Sequence, residues 1–157
     1  MDELLAKIET LKEKHGADLS TTEDLSIAVM NLISLEEHFF FTGMKTRKDE
    51  YFDTALEIRE MRKVLLKELM PENEGETWCI SKHLLATTMR LIEVGNKLRT
   101  EEKKSEAKMM FEKAYQTYSI FWALKLKLIS GEKIKETAKE ASPMEDLINK
   151  LAHCCDE

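Results

Sequence analysis

The sequence predicts an all-α protein, an up-down antiparallel helical bundle of four long helices with short flanking helices at both ends. Its composition is one reason: Ala, Leu, Glu, Lys and Met are common, whereas five Gly and two Pro are the only strong helix breakers in 157 residues. Several long segments also repeat apolar residues with the period of a helix. The connections between these segments are short, which favours antiparallel neighbours.

A chain of this length suits a single domain with one apolar core. We expect an N-terminal helix and turn in residues 1–20, a core bundle in residues 21–130, and a connector with a short C-terminal helix in residues 131–157. The N-terminal helix should span residues 2–14. Ser142 predicts the start of the C-terminal helix, since it opens a capping box.

Residues 21–42, TTEDLSIAVMNLISLEEHFFFT, are the most apolar stretch and predict the central helix. Ser20 with Glu23 predicts a capping box at its start, and Gly43 predicts its end. One arc of the helical wheel should face the core, and its apolar members are Leu25, Ala28, Val29, Leu32, Ile33, Leu35, Phe39 and Phe40. Three apolar residues opposite that arc predict a second interface: Ile27, Met30 and Phe41.

Three more long helices are predicted, over residues 48–70, 77–98 and 101–129. The helix over residues 77–98 places Ser81, Thr88 and Gly95 seven residues apart. Small residues at that spacing allow a neighbouring helix to approach closely. The helix over residues 101–129 is rich in aromatic residues and should be largely buried.

The spacing of small residues indicates that two helical hairpins share one pattern. Gly43 precedes Ala55 by twelve residues, and Gly95 precedes Ala107 by twelve. The second hairpin also resembles the tetratricopeptide repeat pattern, through Gly95, Ala107, Phe111 and Ala114. Because at least about three repeats are needed to bury a continuous core, we interpret this as a locally similar hairpin rather than an array.

Two opposite charges fall inside the predicted apolar arcs. Glu36 lies in the arc of the central helix, and Arg62 lies in the arc of the next helix, with Arg59 at its edge. Leaving an ionised side chain unpaired in a core costs too much free energy, so Glu36 and Arg62 should meet each other or a ligand. Either they form a buried ion pair that fixes the register of two helices, or they belong to a ligand-binding or catalytic site.

Cys79 and His83 form a second candidate site. They are four residues apart and project from the same helical face, a spacing at which a thiolate and an imidazole can bind one transition metal ion. Such a site needs a further ligand, and His38 or Glu37 of the central helix would supply it. The alternative is a surface pair that binds no metal.

Several common classes of helical enzyme are excluded by motif. Carboxylate-bridged di-iron bundles use Glu-x-x-His, but the residues three positions before the four histidines are Lys12, Leu35, Ile80 and Lys150. No zincin, P-loop or dinucleotide-binding motif is present in the sequence.

Charge and hydropathy limit the partners and the compartment. The net charge of −6 argues against nucleic-acid binding, which requires a field of Lys and Arg. The longest apolar run is interrupted by Glu36, Glu37 and His38 and is too short to span a membrane, and MDELLAKIETLKEK at the N-terminus does not resemble a signal peptide. Three cysteines, two of them adjacent, favour a reducing cytoplasm.

Three segments resemble a group of small all-helical proteins from small-genome archaea and bacteria. The segments are TWCISKHLLATTMRLIE at residues 77–93, SLEEHFFFTG at residues 34–43 and SIFWALK at residues 119–125. The resemblance covers most of residues 23–124 and implies a cytoplasmic, microbial single domain. It implies no activity and no site residues.

No complete catalytic constellation is recognisable, so we expect a non-catalytic binding or interaction protein rather than an enzyme. Its partner would be an unknown protein or a second copy in a homodimer. The alternative hypothesis is a small metal- or ligand-binding bundle, with enzymatic activity not excluded, that uses Glu36, His38, Arg62, Cys79 and His83.

Overall fold

Four long helices make up the described part of the chain. The computed structural model describes residues 17–72 and 76–129, together with Ala6 and Thr10, which are both helical. The helices are α1 (Ala17–Thr46), α2 (Glu50–Leu69), α3 (Thr77–Thr100) and α4 (Lys104–Lys125). These ranges contain no strand, which confirms the all-α class. The predicted C-terminal helix, and nearly all of the predicted N-terminal helix, lie outside the described residues.

The observed helices correspond to the four long helices predicted from the sequence, but the ends of α1 differ. This helix runs through Ser20, so the capping box predicted there is wrong. It also continues through Gly43 to Thr46. Glycine at position 43 serves close packing and not helix termination. A Cβ at this position would lie 2.8 Å from the ring of Phe52, so the missing side chain makes room for that ring.

The described chain consists of two helical hairpins, each formed by two consecutive helices that pack along each other. The first pairs α1 with α2, and the second pairs α3 with α4. Their tight turns use Arg47 and Glu102, whose φ angles of 58° and 62° lie in the left-handed region. The two hairpins meet chiefly through α1 against α3.

The small residues predicted along α3 do lie against a neighbouring helix. Ser81, Thr88 and Gly95 are all buried. A Cβ on Gly95 would approach the ring of Phe111 on α4 to 2.4 Å, so only glycine permits the observed separation of these helices. Both hairpins therefore bring a glycine of the first helix against a phenylalanine of the second.

The most enclosed segment of the described chain is the end of α4, not the middle of α1. Residues 119–124 are six consecutive buried residues, and a helix buried at consecutive positions is covered on every face. Residues from all four helices pack in the same cluster, including Val29, Leu66, Leu85 and Phe121. The prediction that the α4 helix is largely buried is thus confirmed for its C-terminal half, whereas α1 is less central than the sequence predicts.

The buried face of α1 is rotated from the predicted arc. Met30, predicted to lie opposite the core, is only 4% exposed and belongs to the core. Phe40, predicted to be in the core, is 49% exposed. Phe41 and Ile27 are exposed, which agrees with their predicted position opposite the core, while the interface predicted for them stays a prediction. The rotation arises because α1 is apolar over much of its circumference and contacts α3 as well as α2.

Candidate functional site

Glu36 and Arg62 meet between α1 and α2. Arg62 Nε donates to Glu36 Oε1 at 2.6 Å, and Arg62 Nη2 donates to Glu36 Oε2 at 3.2 Å. This is the bidentate geometry in which a guanidinium matches a carboxylate. The Arg62 side chain is 7% exposed and the Glu36 side chain is 19% exposed, so water is mostly excluded from the pair.

This geometry favours a structural role for the pair. Both oxygens of the Glu36 carboxylate already accept a hydrogen bond from Arg62, so neither has to find another partner. A bidentate contact between two helices also fixes their axial register, since a shift of one residue along either helix would separate the charges. Arg59, the third predicted residue, is exposed, and both hydrogen bonds of the carboxylate come from Arg62 instead.

A second ion pair links the two hairpins. Glu37 Oε2 lies 3.2 Å from Arg90 Nη2, which joins α1 to α3. Both side chains are about half exposed, so water and salt weaken the attraction. His38, the next residue, is exposed and its ring contacts the edge of Phe39. Glu37 is therefore engaged with a cation, and His38 points into solvent.

His83 is a half-buried histidine whose Nε2 is buried without a hydrogen-bond partner. Burial lowers the pKa of the imidazole, and the positive charge of Lys82 lowers it further. The ring is thus held in its neutral form, which is the form that ligates metals. Cys79, one turn earlier on α3, is also half-buried.

The four predicted metal ligands are not gathered at one point. Within the part of the chain that the structure describes, no three His, Cys, Asp or Glu residues form a group that could hold a metal ion. Cys79 and His83 share α3, whereas Glu37 and His38 lie on α1. Any metal held by Cys79 and His83 would need further ligands from outside the described protein residues.

Sequence reasoning missed a buried polar contact between α1 and α4. Ser26 Oγ, fully buried, lies 2.6 Å from the hydroxyl oxygen of Tyr118 and 2.7 Å from the carbonyl oxygen of Glu23. Since the Ser26 hydroxyl donates to that carbonyl, the Tyr118 hydroxyl donates to Ser26. Burial raises the pKa of Tyr118, and hydrogen bonds with Ser26 and Trp122 oppose the rise. The signal available in the sequence was Ser26 itself, a polar residue among the apolar residues of α1.

A group of exposed apolar residues lies near the turn of the first hairpin. We call it the hairpin-tip surface and define it by Phe40, Phe41 and Met44 on α1 and by Phe52 and Leu56 on α2. The Phe40 ring packs edge-to-face against Phe41 at 5.3 Å and against Phe52 at 6.4 Å. Met44 and Leu56 each lie one helical turn beyond Phe40 and Phe52. The five side chains therefore form one continuous apolar surface.

This surface is far more open to water than the interior. Phe41 is 57% exposed, Met44 60% and Leu56 58%. Single exposed apolar residues are ordinary, but a contiguous group that contains three aromatic rings is typical of a binding surface. Of the five residues that define the hairpin-tip surface, only Phe41 was predicted from the sequence to lie at an interface.

Comparisons of the chain with protein-family models, with curated proteins and with solved structures found no match. No helix in the described ranges is both long enough and apolar enough to cross a membrane.

Proposed function

We propose that the chain is a non-catalytic interaction protein whose hairpin-tip surface binds a protein partner, either a different protein or a second copy of this chain. The observation that carries the proposal is the contiguous exposure of Phe40, Phe41, Met44 and Leu56 around Phe52. Aromatic residues and methionine are enriched at the centres of protein interfaces, where a few of them provide most of the binding free energy. In this proposal the two hairpins form an up-down antiparallel bundle in the cytoplasm.

The arrangement of the charged residues supports a binding role over a catalytic one. The most buried charged pair, Glu36 with Arg62, satisfies itself and lies between helices rather than in an open cleft. The exposed aromatic group, in contrast, includes a ring contact across the two helices of a hairpin, between Phe40 and Phe52, which limits its freedom to rearrange. A rigid surface loses little conformational entropy when a partner binds.

Phe41→Glu should weaken association with the partner at least about thirtyfold, the loss expected for a central aromatic residue worth about 2 kcal/mol. The fold should survive, because Phe41 is more than half exposed. Light scattering over a concentration series measures association with a second copy. For a different protein, a photo-reactive phenylalanine analogue at position 41 identifies the partner in cells, and the purified pair is then titrated.

Val64→Glu is the matched control for this variant. Val64 is 66% exposed on α2 and lies outside the hairpin-tip surface, so the same carboxylate there should change affinity by less than about twofold. If Phe41→Glu and Val64→Glu both associate as the wild type does, this surface does not bind the partner and the proposal is wrong.

A second candidate function, metal or small-ligand binding, has one observation in its favour. The buried Nε2 of His83 lacks a hydrogen-bond partner, and the neutral ring lies one turn from the thiol of Cys79. A soft transition metal ion bound by this thiolate and imidazole would satisfy that nitrogen. Two protein ligands make a weak site, which is why we rank this function second.

Elemental analysis distinguishes the two functions. The protein is purified without a His-tag and with Cys154 and Cys155 replaced by serine, so that adjacent cysteines do not collect metal. Under the interaction proposal we expect much less than one transition metal ion per chain. One equivalent of metal that is lost in Cys79→Ala with His83→Ala would instead establish the metal-binding function.

A further inference from the structure

Among the charged residues around the hairpin-tip surface, Arg59 is a cation that lies in the middle of a helix and has no ion-pair partner among the described residues. Three carboxylates near the surface are each held by a cation of this chain: Glu37 by Arg90, Glu50 by Lys48 and Glu60 by Lys63. Asp49 and Asp53 lie at the N-terminus of α2. Lys45 lies in the last turn of α1, and Arg47 follows its end directly, so each of these charges is placed where a helix dipole favours it. Arg59 is different, because it occupies the middle of α2, three residues after Leu56.

Arg59 is suitably placed to bind a carboxylate from outside the chain. Residues three apart on a helix are neighbours, so its guanidinium extends from the edge of the apolar surface at Leu56. The side chain is exposed, and no carboxylate among the described residues pairs with it. A guanidinium can bind a carboxylate through two parallel hydrogen bonds, which gives orientation as well as affinity.

We propose that the hairpin-tip surface binds an amphipathic, acidic helical segment of a partner protein, whose apolar side chains cover Phe40, Phe41 and Met44 and whose carboxylate pairs with Arg59. This inference rests on the proposed function and names its partner class. An apolar surface between two helices suits an amphipathic helix, which presents apolar residues at i, i+3, i+4 and i+7. An acidic residue one turn from those positions would reach Arg59.

Two other occupants are less well supported by the same charges. A second copy would bring Glu37, Glu50 and Glu60, whose carboxylates are already paired. Its Glu57 lies on a different side of α2 from the residues around Arg59, so Arg59 would gain little from a second copy. An anionic lipid surface would attract Arg59, but it would repel the chain as a whole, which carries a net charge of −6.

The test is selection from a phage-displayed library of helical peptides with randomised charged and apolar positions. The wild-type chain is the bait, and the folded Phe41→Glu variant removes peptides that bind elsewhere. Enriched peptides should carry apolar residues at helical spacing together with Asp or Glu. Titrated as synthetic peptides by fluorescence anisotropy, they should bind Arg59→Glu about tenfold more weakly than the wild type.

A charge exchange isolates the contact with Arg59. Replacing the peptide's acidic residue with Lys should weaken binding to the wild type and restore binding to Arg59→Glu. Lys113→Glu is the control, since it makes the same change of net charge at an exposed position of α4, and it should leave the affinity unchanged.

The possible failures are distinguishable. Peptides that depend on Phe41 but are basic or uncharged would overturn the acidic partner and leave the proposed function standing. Without any Phe41-dependent peptide, the inference fails: a doubling of mass in light scattering would assign the surface to a second copy, and sedimentation with phosphatidylserine vesicles would assign it to a lipid surface. If neither occurs and no partner crosslinks at position 41, the proposed function fails too.

Discussion

Replacing Arg62 with methionine should lower the free energy of unfolding by about 3 kcal/mol, the lower end of the range for removing one partner of a buried ion pair. The variant keeps the Glu36 carboxylate between α1 and α2 but removes both hydrogen bonds that it accepts from Arg62. Glu36→Gln leaves the Arg62 guanidinium without a counter-charge, but the amide oxygen of Gln still accepts a hydrogen bond from it, so this variant should lose less stability than Arg62→Met. Urea unfolding followed by circular dichroism measures both.

The double variant decides whether the pair acts as a unit. Glu36→Gln with Arg62→Met leaves no unpaired charge, so it should be more stable than the sum of the single losses predicts. Simple additivity would contradict the structural role that we assign to the pair. Arg90→Met is the control: it breaks the half-exposed pair with Glu37 and should cost less than about 1 kcal/mol.

Gly95→Ala should destabilise the protein by about 1–3 kcal/mol even though alanine is the better helix former. The new Cβ would lie 2.4 Å from Cε1 of Phe111, closer than carbon atoms can approach, so α3 and α4 must separate or the ring must move. Thermal or urea unfolding measures the loss. Asn96→Ala, at the exposed neighbouring position of α3, is the control and should be neutral or slightly stabilising.

A compensating change shows whether the clash is the cause. Phe111→Leu removes the ring atoms that meet the new methyl group. Gly95→Ala should therefore lower the free energy of unfolding less in the Phe111→Leu background than in the wild type. If Gly95→Ala is as stable as the wild type, the close approach of the two helices is not required for the fold.

The contact between Glu36 and Arg62 could be predicted from the sequence for a physical reason. A charge inside an apolar arc is costly, and opposite charges on consecutive helices offer the simplest way to remove that cost. The seven-residue spacing of Ser81, Thr88 and Gly95 is informative for a similar reason, because small side chains are conspicuous against an apolar background. In both cases a residue type is unusual for its place in the helix, and only a few packing arrangements make it favourable there.

The orientation of α1 could not be predicted in the same way. This helix is apolar on several sides, so the centre of its apolar arc does not identify the buried face. Met30 is in the core and Phe40 is exposed. Which side of α1 is buried depends on its packing against both α2 and α3, and α3 is far away in the sequence. The hairpin-tip surface was therefore only visible in the structure, apart from Phe41.

The enclosed end of α4 bears on whether the two hairpins are separable repeats. Residues 119–124 are about 1.7 helical turns with no face open to solvent. Their cluster includes side chains from both hairpins, so neither hairpin has a complete apolar interior by itself. The two hairpins therefore behave as halves of one cooperative folding unit. If the chain is cut between α2 and α3, we expect the two fragments to fold only when they are mixed.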